Sequence, residues 1–301
     1  MTTIAFIGLG NMGGNMARHL MAAGYRLRIY ARRMEAMAPF AAQGAVACAS
    51  PREAASGADF ICTNVTTTRD VEQVLLGEQG AVHGAAAGAI VCDFSTIDAA
   101  ATRRMAARLA ERGIEYLDCP VSGGTKAAEA ATLTILVGGA AAALDKARPL
   151  LEKLGASVFH MGPVGAGQVT KACNQIAQVV NIQGIAEAMR YADANGVDGG
   201  KVVEALMSGF AGSKMLGLMG PKMAARDFAA GIEARLHHKD LGLVAASARE
   251  AGMTLPAVEL VQAQLEKLMA AGWGRMDTCN LLRVLEERPN ALPQGNDDES
   301  A

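Results

Sequence analysis

Short apolar runs punctuate the first half of the chain at Ile4–Gly8, Leu27–Tyr30, Phe60–Asn64, Ile90–Asp93, Ile114–Asp118, Thr132–Val137 and Ser157–Met161. Each is strand-length, and amphipathic stretches separate most of them: Met12–Ala23, Met34–Gln43, Pro51–Gly57, Asp70–Leu76, Ala99–Arg112 and Ala141–Leu154. Strand–helix alternation at this rhythm predicts a parallel, doubly wound α/β sheet. After Gly162–Gly167 the pattern changes to helical segments only, broken at Asn195–Gly200, Ser208–Ser213, Arg226–Gly231 and Gly252–Pro256. A helix over Gln168–Ala194 ends at Asn195-Gly196, a good C-terminal cap pair. The expected organisation is a Rossmann-type domain over 1–164, an all-α domain over 165–288 joined by that long helix, and a polar tail over 289–301.

The first strand runs directly into Gly8-Leu9-Gly10-Asn11-Met12-Gly13, a GxGxxG that opens a helix. In this context the first glycine permits a tight turn, the second admits a pyrophosphate to the backbone, and the third lets helix pack on strand. Free N–H groups at the helix start would hold the phosphates. A dinucleotide is therefore expected here. At the end of the second strand, where a carboxylate would hold the ribose hydroxyls, the chain has Ala31-Arg32-Arg33. Two guanidiniums without a carboxylate suit a 2′-phosphate, so NADP(H) is favoured with NAD(H) possible. The other reading is two arginines on a solvated turn. Val65–Thr68, including Thr66, and Ser95-Thr96 lie at later strand ends, where ligands of open α/β sheets bind. Ser95 or Thr96 would equally serve as a helix cap.

Composition narrows the classes. With 51% hydrophobic residues in 301, the chain can bury a large core. A net charge of -2 and 4% aromatics argue against a nucleic-acid surface. No apolar run is long enough for a membrane span and no export signal is visible, so a cytoplasmic protein is expected. The six cysteines show no CxxC and read as reduced, small hydrophobes; no acidic cluster suggests a metal.

Two stretches carry candidate chemistry. Ser122-Gly123-Gly124 follows a strand and could present a hydroxyl and closely spaced N–H donors to an anion, or be a plain flexible loop. Lys171, Asn174, Gln175, Gln178 and Asn181 fall within an arc of about 120° on the long helix. Uncharged amides beside one lysine are unusual for a surface helix and suggest a polar seam on an enclosed site; a solvated face is the alternative.

Taken together, Phe6–Ala17, Asp93–Thr96, Asp118–Gly124, Gly165–Gln175 and Leu236–Leu241 closely resemble the β-hydroxyacid dehydrogenase family over about residues 3 to 287. The resemblance implies that Thr96 touches the dinucleotide and that Ser122, Gly123 and Gly124 bind a substrate carboxylate. It further implies that Lys171 is catalytic, that Gln175 helps hold substrate, and that Lys239 closes over the cofactor. Asn174-Gln175, Ala211-Gly212-Ser213 and His237-His238-Lys239-Asp240 look most like the tartronate semialdehyde reductase branch. A homodimer or homotetramer is implied as well. Two departures stand in supporting turns: Asp98-Ala99 lacks the proline common there, and Ala131 replaces a usual glycine.

The implied reaction reduces a small carboxylated semialdehyde, or oxidises the β-hydroxy acid. A substrate between the domains would be held by Ser122–Gly124, with Lys171 stabilising charge on the carbonyl oxygen and donating the proton. Asn174 and Gln175 would orient both partners, and Phe210–Ser213 with Phe228–Ile232 would form a pocket wall. No acid/base role is expected for His237 or His238, and His19, His83 and His160 are expected to be structural or surface residues. The rival readings are 3-hydroxyisobutyrate dehydrogenase or succinate semialdehyde reductase activity, an imine reductase, a phosphosugar-acid dehydrogenase, and a non-catalytic nucleotide-binding module. The lysine argues against the imine reductase and the non-catalytic module.

Overall fold

The computed structural model describes residues 1–286. The chain divides into two compact units, Met1–Asn174 and Gln175 onward. The expected tail over 289–301 lies outside the described residues.

In the first unit, β1 (Thr3–Ile7), β2 (Arg26–Tyr30), β3 (Val46–Ala47), β4 (Phe60–Thr63), β5 (Ile90–Asp93) and β6 (Glu115–Asp118) form a parallel sheet in the order β3-β2-β1-β4-β5-β6. The order reverses beside β1, which lies between β2 and β4. Alternate residues of β1 enter different cores. Ile4 and Phe6 pack with Met16, Leu20 and Ile29, whereas Ala5 and Ile7 pack with Ile61, Val71 and Val91. A strand buried on both faces reads as a continuous apolar run, which is why these segments stand out in the sequence.

Beyond β6 the sheet departs from the expected parallel pattern. The chain turns through Cys119 and Pro120 into a two-residue strand β7 (Val121–Ser122). It then forms a short helix over Gly124–Glu129 and returns as β8 (Leu133–Gly138), antiparallel to both β6 and β7. The intervening residues form a hairpin partner instead of a helical crossover, and only a crossover sustains parallel pairing. β9 (Gly155–Gly162) pairs parallel with β8.

The helices of this unit are α1 (Asn11–Ala22), α2 (Ala38–Ala41), α3 (Pro51–Ala55), α4 (Thr68–Leu76), α5 (Ala99–Ala110), α6 (Gly124–Glu129) and α7 (Ala141–Leu151). The helix expected over Met34–Gln43 is split into a 3₁₀ turn at Met34–Ala36 and α2. Pro39 has no N–H to continue a helix and sits in the first turn of α2. α4 is capped reciprocally by Thr67 and Asp70. α5 is capped by Asp98, not by Ser95 or Thr96. Ala131 takes φ +53°, the left-handed region in which glycine is at ease, which accounts for the usual glycine there.

α8 (Ala166–Ala194) passes through the division between the units. Its first turns belong to the sheet unit because Gly167 approaches β6 and β8 so closely that a Cβ would lie 2.4 Å from the Leu136 carbonyl oxygen. The helix ends at Gly196, φ +70°, where the Val197 N–H bonds back to the Ala192 carbonyl.

The second unit continues from α8 with α9 (Gly199–Met207), α10 (Lys214–Ala224), α11 (Ala234–Glu250), α12 (Pro256–Ala270) and α13 (Leu281–Glu286), and has no strand among its described residues. Val258, Val261, Leu265 and Leu268 form one buried stripe of α12. Of the described helices none is long and apolar enough to cross a membrane.

The loop between α10 and α11 is pinned by Asp277. This buried carboxylate accepts from Ile232 N–H (3.0 Å), Cys279 N–H (3.0 Å) and Lys222 Nζ (2.9 Å). Burial pushes its carboxyl up, but these donors together outweigh burial and hold it below the usual carboxylate range. Asp277→Asn is expected to lower stability by about 2–3 kcal/mol at neutral pH, since it leaves Lys222 without its counter-charge. Because the folded carboxyl titrates below its unfolded value of about 3.9, the stabilisation is present above that value and disappears as pH falls through the folded one. Urea unfolding from pH 7 down to pH 3 should show the gap between wild type and variant closing.

Candidate functional site

At the reversal point of the sheet, Gly8 takes φ +100° and its N–H donates to the Tyr30 carbonyl (2.9 Å). A Cβ on Gly8 would stand 2.3 Å from the Asn64 oxygen, and one on Gly13 would stand 2.0 Å from the Gly8 oxygen. Gly10 is different. It is exposed and extended, with no atom within 4 Å of where its Cβ would be. Two glycines are thus required by the protein's own packing, while the third keeps open the space in front of α1. That helix has no side-chain cap and no acidic residue in its first turn, so its leading N–H groups point a partial positive charge at this space. These residues fit the diphosphate of a dinucleotide.

Arg32 and Arg33 follow β2 and are exposed, next to half-buried Ala31. Arg32 Nη1 lies 3.2 Å from Asp70 Oδ1, while the other Asp70 oxygen accepts from the N–H and hydroxyl of Thr67. Of the β4 loop, Val65 lies against Gly8 and its N–H donates to Ser95 Oγ (3.0 Å), and Thr66 is exposed.

The end of β5 is organised by Asp93, which is fully buried. It accepts from the Thr63 hydroxyl (2.7 Å), the Tyr116 hydroxyl (2.9 Å) and the Ser95 N–H (3.0 Å). Burial raises its carboxyl above the usual range against the pull of these donors. Thr96 is half-buried between buried Ser95 and Ile97. On the neighbouring strand Asp118 accepts from Gly165 N–H (2.7 Å) and Gln168 N–H (2.8 Å), and so caps α8. Burial again pushes the carboxyl up.

Four residues further on, Ser122 is half-buried and Gly123 and Gly124 are exposed, with φ +130° and +67°. A Cβ on Gly124 would meet nothing within 4 Å. Ser122 Oγ is 3.5 Å from Asn174 Oδ1, at the outer limit for a hydrogen bond. Asn174 stands one turn after Lys171 on α8, and Lys171 is only 8% exposed. A serine hydroxyl, exposed loop N–H groups and a buried lysine in one unit can hold an anion and exchange a proton.

In the second unit Gln175 is buried and its Nε2 donates to Asp240 Oδ2 (2.6 Å). Lys239 Nζ lies 2.8 Å from Asp240 Oδ1, an ion-pair distance without hydrogen-bond alignment. The Gln178 amide donates to His237 Nε2 (3.1 Å), so that nitrogen accepts and Nδ1–H donates to the Thr278 hydroxyl (2.8 Å). Ser213 donates to Asn181 Oδ1 (2.8 Å). The amides of α8 after Asn174 thus tie it to α11 and to the turn before α10. Phe210 is fully exposed, and Phe228 lies under the guanidiniums of Arg226 and Arg283. His19 and His160 bond backbone carbonyls. No cluster of metal-binding residues is present among the described residues.

Thr63, Asp93, Tyr116, Asp118 and Gln168 are site-building residues that reading the sequence did not single out. Asp93, Asp118 and Gln168 fall inside the motifs, and an acid ending an apolar strand was the available signal.

Residues 3–162 match the model of the NAD binding domain of 6-phosphogluconate dehydrogenase. Residues 165–285 match that of the NAD-binding domain of NADP-dependent 3-hydroxyisobutyrate dehydrogenase. The chain is 39% identical to the NAD-dependent L-serine dehydrogenase of Pseudomonas aeruginosa, across 92% of this chain and 95% of that protein. It is 37% identical to the 2-hydroxy-3-oxopropionate reductase of Escherichia coli, across 95% and 98%. Among solved structures, the 3-hydroxyisobutyrate dehydrogenase of Mycobacterium tuberculosis, solved with L-serine, superposes with a TM-score of 0.88 at 32% identity, covering 95% of this chain and 99% of that one. Motifs, fold and relatives agree: the chain belongs to the β-hydroxyacid dehydrogenase family and is an NAD(P)-dependent oxidoreductase acting on a hydroxyl group.

Proposed function

We propose that this protein is an NADP(H)-dependent reductase of a small carboxylated semialdehyde, with 2-hydroxy-3-oxopropionate as the first candidate and Lys171 as the proton donor. The observation that carries the reading is the buried Lys171, one turn from an Asn174 amide that lies beside Ser122. Ser122, Gly123 and Gly124 hold the substrate carboxylate. Lys171 meets the carbonyl oxygen as negative charge builds on it and delivers the proton; in the oxidative direction it receives one. Asn174 and Gln175 orient the lysine and the substrate. Gly8, Leu9, Gly10, Asn11, Met12 and Gly13 seat the diphosphate, Val65, Thr66 and Thr96 line its path, and Ala31, Arg32 and Arg33 receive the adenosine 2′-phosphate. The bound nicotinamide supplies the hydride.

A second reading has a specific basis. One close relative is a serine dehydrogenase, and another relative was solved with L-serine. L-Serine differs from glycerate, the product of 2-hydroxy-3-oxopropionate reduction, by an amino group in place of the C2 hydroxyl, and it offers the same carboxylate and terminal alcohol. NADPH oxidation with 2-hydroxy-3-oxopropionate, methylmalonate semialdehyde and succinate semialdehyde, beside NADP- and NAD-linked oxidation of L-serine and 3-hydroxyisobutyrate, tests both. The highest kcat/KM is expected for 2-hydroxy-3-oxopropionate with NADPH; predominant NAD-linked serine turnover would establish the second reading in its place.

Lys171→Ala is expected to lower kcat by about 10²–10⁴-fold while cofactor affinity is kept. Near-normal turnover would remove Lys171 from the chemistry. Arg32→Ala and Arg33→Ala should each weaken NADPH by about tenfold and leave NADH unchanged; equal losses for both cofactors would rule out 2′-phosphate recognition. Gly10→Ala should stay within about 0.5 kcal/mol of wild-type stability yet weaken dinucleotide binding by at least about tenfold. Gly13→Ala, whose new methyl meets the Gly8 carbonyl, should cost more than about 2 kcal/mol. Thermal unfolding alongside cofactor titration separates the two.

A further inference from the structure

A carboxamide can bond in both directions, and that of Gln168 uses both ends on one turn. Its Nε2–H donates to the Ser95 carbonyl oxygen (2.8 Å), and its Oε1 accepts from the Ile97 N–H (3.1 Å). Thr96 stands between these two anchor points. Gln168 is 3% exposed, so water does not replace either bond when it is lost. The same residue is held at its backbone, where its N–H donates to Asp118 Oδ2. Lys171 follows three residues later on the same helix face. Gln168 therefore joins three pieces of chain: the turn bearing Thr96, the strand end leading to Ser122, and the first turns of the helix bearing Lys171.

We propose that Gln168 is a positioning residue, its carboxamide locking the Thr96 turn to the Lys171 helix so that the cofactor and the proton donor keep one fixed spacing. This rests on the roles proposed above for Thr96 and Lys171. The spacing matters because hydride and proton converge on the two atoms of one carbonyl, and a displacement of about 1 Å costs on the order of 100-fold in rate. Asp118 and the close seat of Gly167 fix where the helix starts, and the two side-chain bonds of Gln168 tie that helix to the Thr96 turn at a separate point.

The test is a double-mutant cycle of Gln168→Leu and Thr96→Ala. It is read as the Kd of NADPH or NADH, whichever binds more tightly, by fluorescence titration, together with kcat at saturating cofactor. Gln168→Leu is expected to raise Kd about tenfold and to lower saturated kcat by about 10- to 100-fold. Because Gln168 acts on the cofactor through Thr96, the double variant should bind no more weakly than the weaker single one. A purely structural residue would add its loss to that of Thr96→Ala and leave saturated kcat alone. Additive losses in Kd, or a saturated kcat within about twofold of wild type, would overturn the proposal. Should Gln168→Leu not fold, Gln168→Glu keeps the chain length, removes the donor to Ser95 and carries the same cycle. Binding without turnover of any semialdehyde or hydroxy acid would defeat the functional reading instead, and the Kd cycle would still test the link between Gln168 and Thr96.

Discussion

A carboxylate shut away from water at the end of β6 sets the geometry on which the nucleotide-binding unit depends. Asp118 is fully buried, and burial alone drives its carboxyl upward. A helix start has the complementary need, four N–H groups without intrahelical partners. The first turn of α8 meets the carboxylate through Gly165 and Gln168, so each satisfies the other. The fit is close enough to require glycine on both sides. A Cβ on Gly138 would come within 2.5 Å of Asp118 Oδ1, and one on Gly167 within 2.8 Å of Oδ2. Once that contact is made, the helix has one starting point, and the height of Lys171 above the sheet follows from it.

The dinucleotide turn obeys a steric rule of the same kind at the other end of the site. Gly8 and Gly13 are held by contacts inside the protein, with Asn64 and with each other. Gly10 is not held in that way. Of three glycines in one motif, two make the turn possible and one leaves space. The distinction matters for reading variants, because a methyl at the first pair disturbs folding and a methyl at Gly10 disturbs only what approaches from outside.

How much of this was legible in the sequence depends on which force specified it. Two-sided burial produced the apolar runs of β1, β4, β5 and β6, and one-sided burial the alternation of β2, so all five were found within a residue or two. Local chemistry also showed through, as the Asn195-Gly196 end of α8 illustrates. Elements made by tertiary context did not. β3 and β7 are two residues each and not buried, so neither has a pattern of its own. The long helix misleads a periodicity argument in another way: Lys171 and Gln175 are buried, whereas Val169 and Cys173 are exposed. Over Lys171–Asn181 its inward side is polar because Gln175, Gln178 and Asn181 bond to named partners in their unit, and only from Val179 onward does an apolar face (Val179, Ile182, Ile185, Met189) take over. The motifs disclosed the family, whereas choice among small substrates turns on differences of about 1–3 kcal/mol per methyl group, which residue type alone does not encode.

The buried acids show where the fold gives up stability. Asp277 titrates low, held by Lys222 and two N–H groups, so its ionised form favours the folded state at neutral pH. Asp93 and Asp118 titrate high, so ionising them works against folding as pH rises past the unfolded carboxylate value. Both sit in register on neighbouring strands, at the carboxyl ends where the site is built. An apolar pair of similar shape would cost less to bury. It could not accept the Ser95 N–H that fixes the turn after β5, nor the Gln168 N–H that starts the helix bearing Lys171. The acid in the helical unit therefore serves stability, and the two acids at the strand ends serve position. Position is what hydride transfer between a dinucleotide and a hydroxyl-bearing carbon demands.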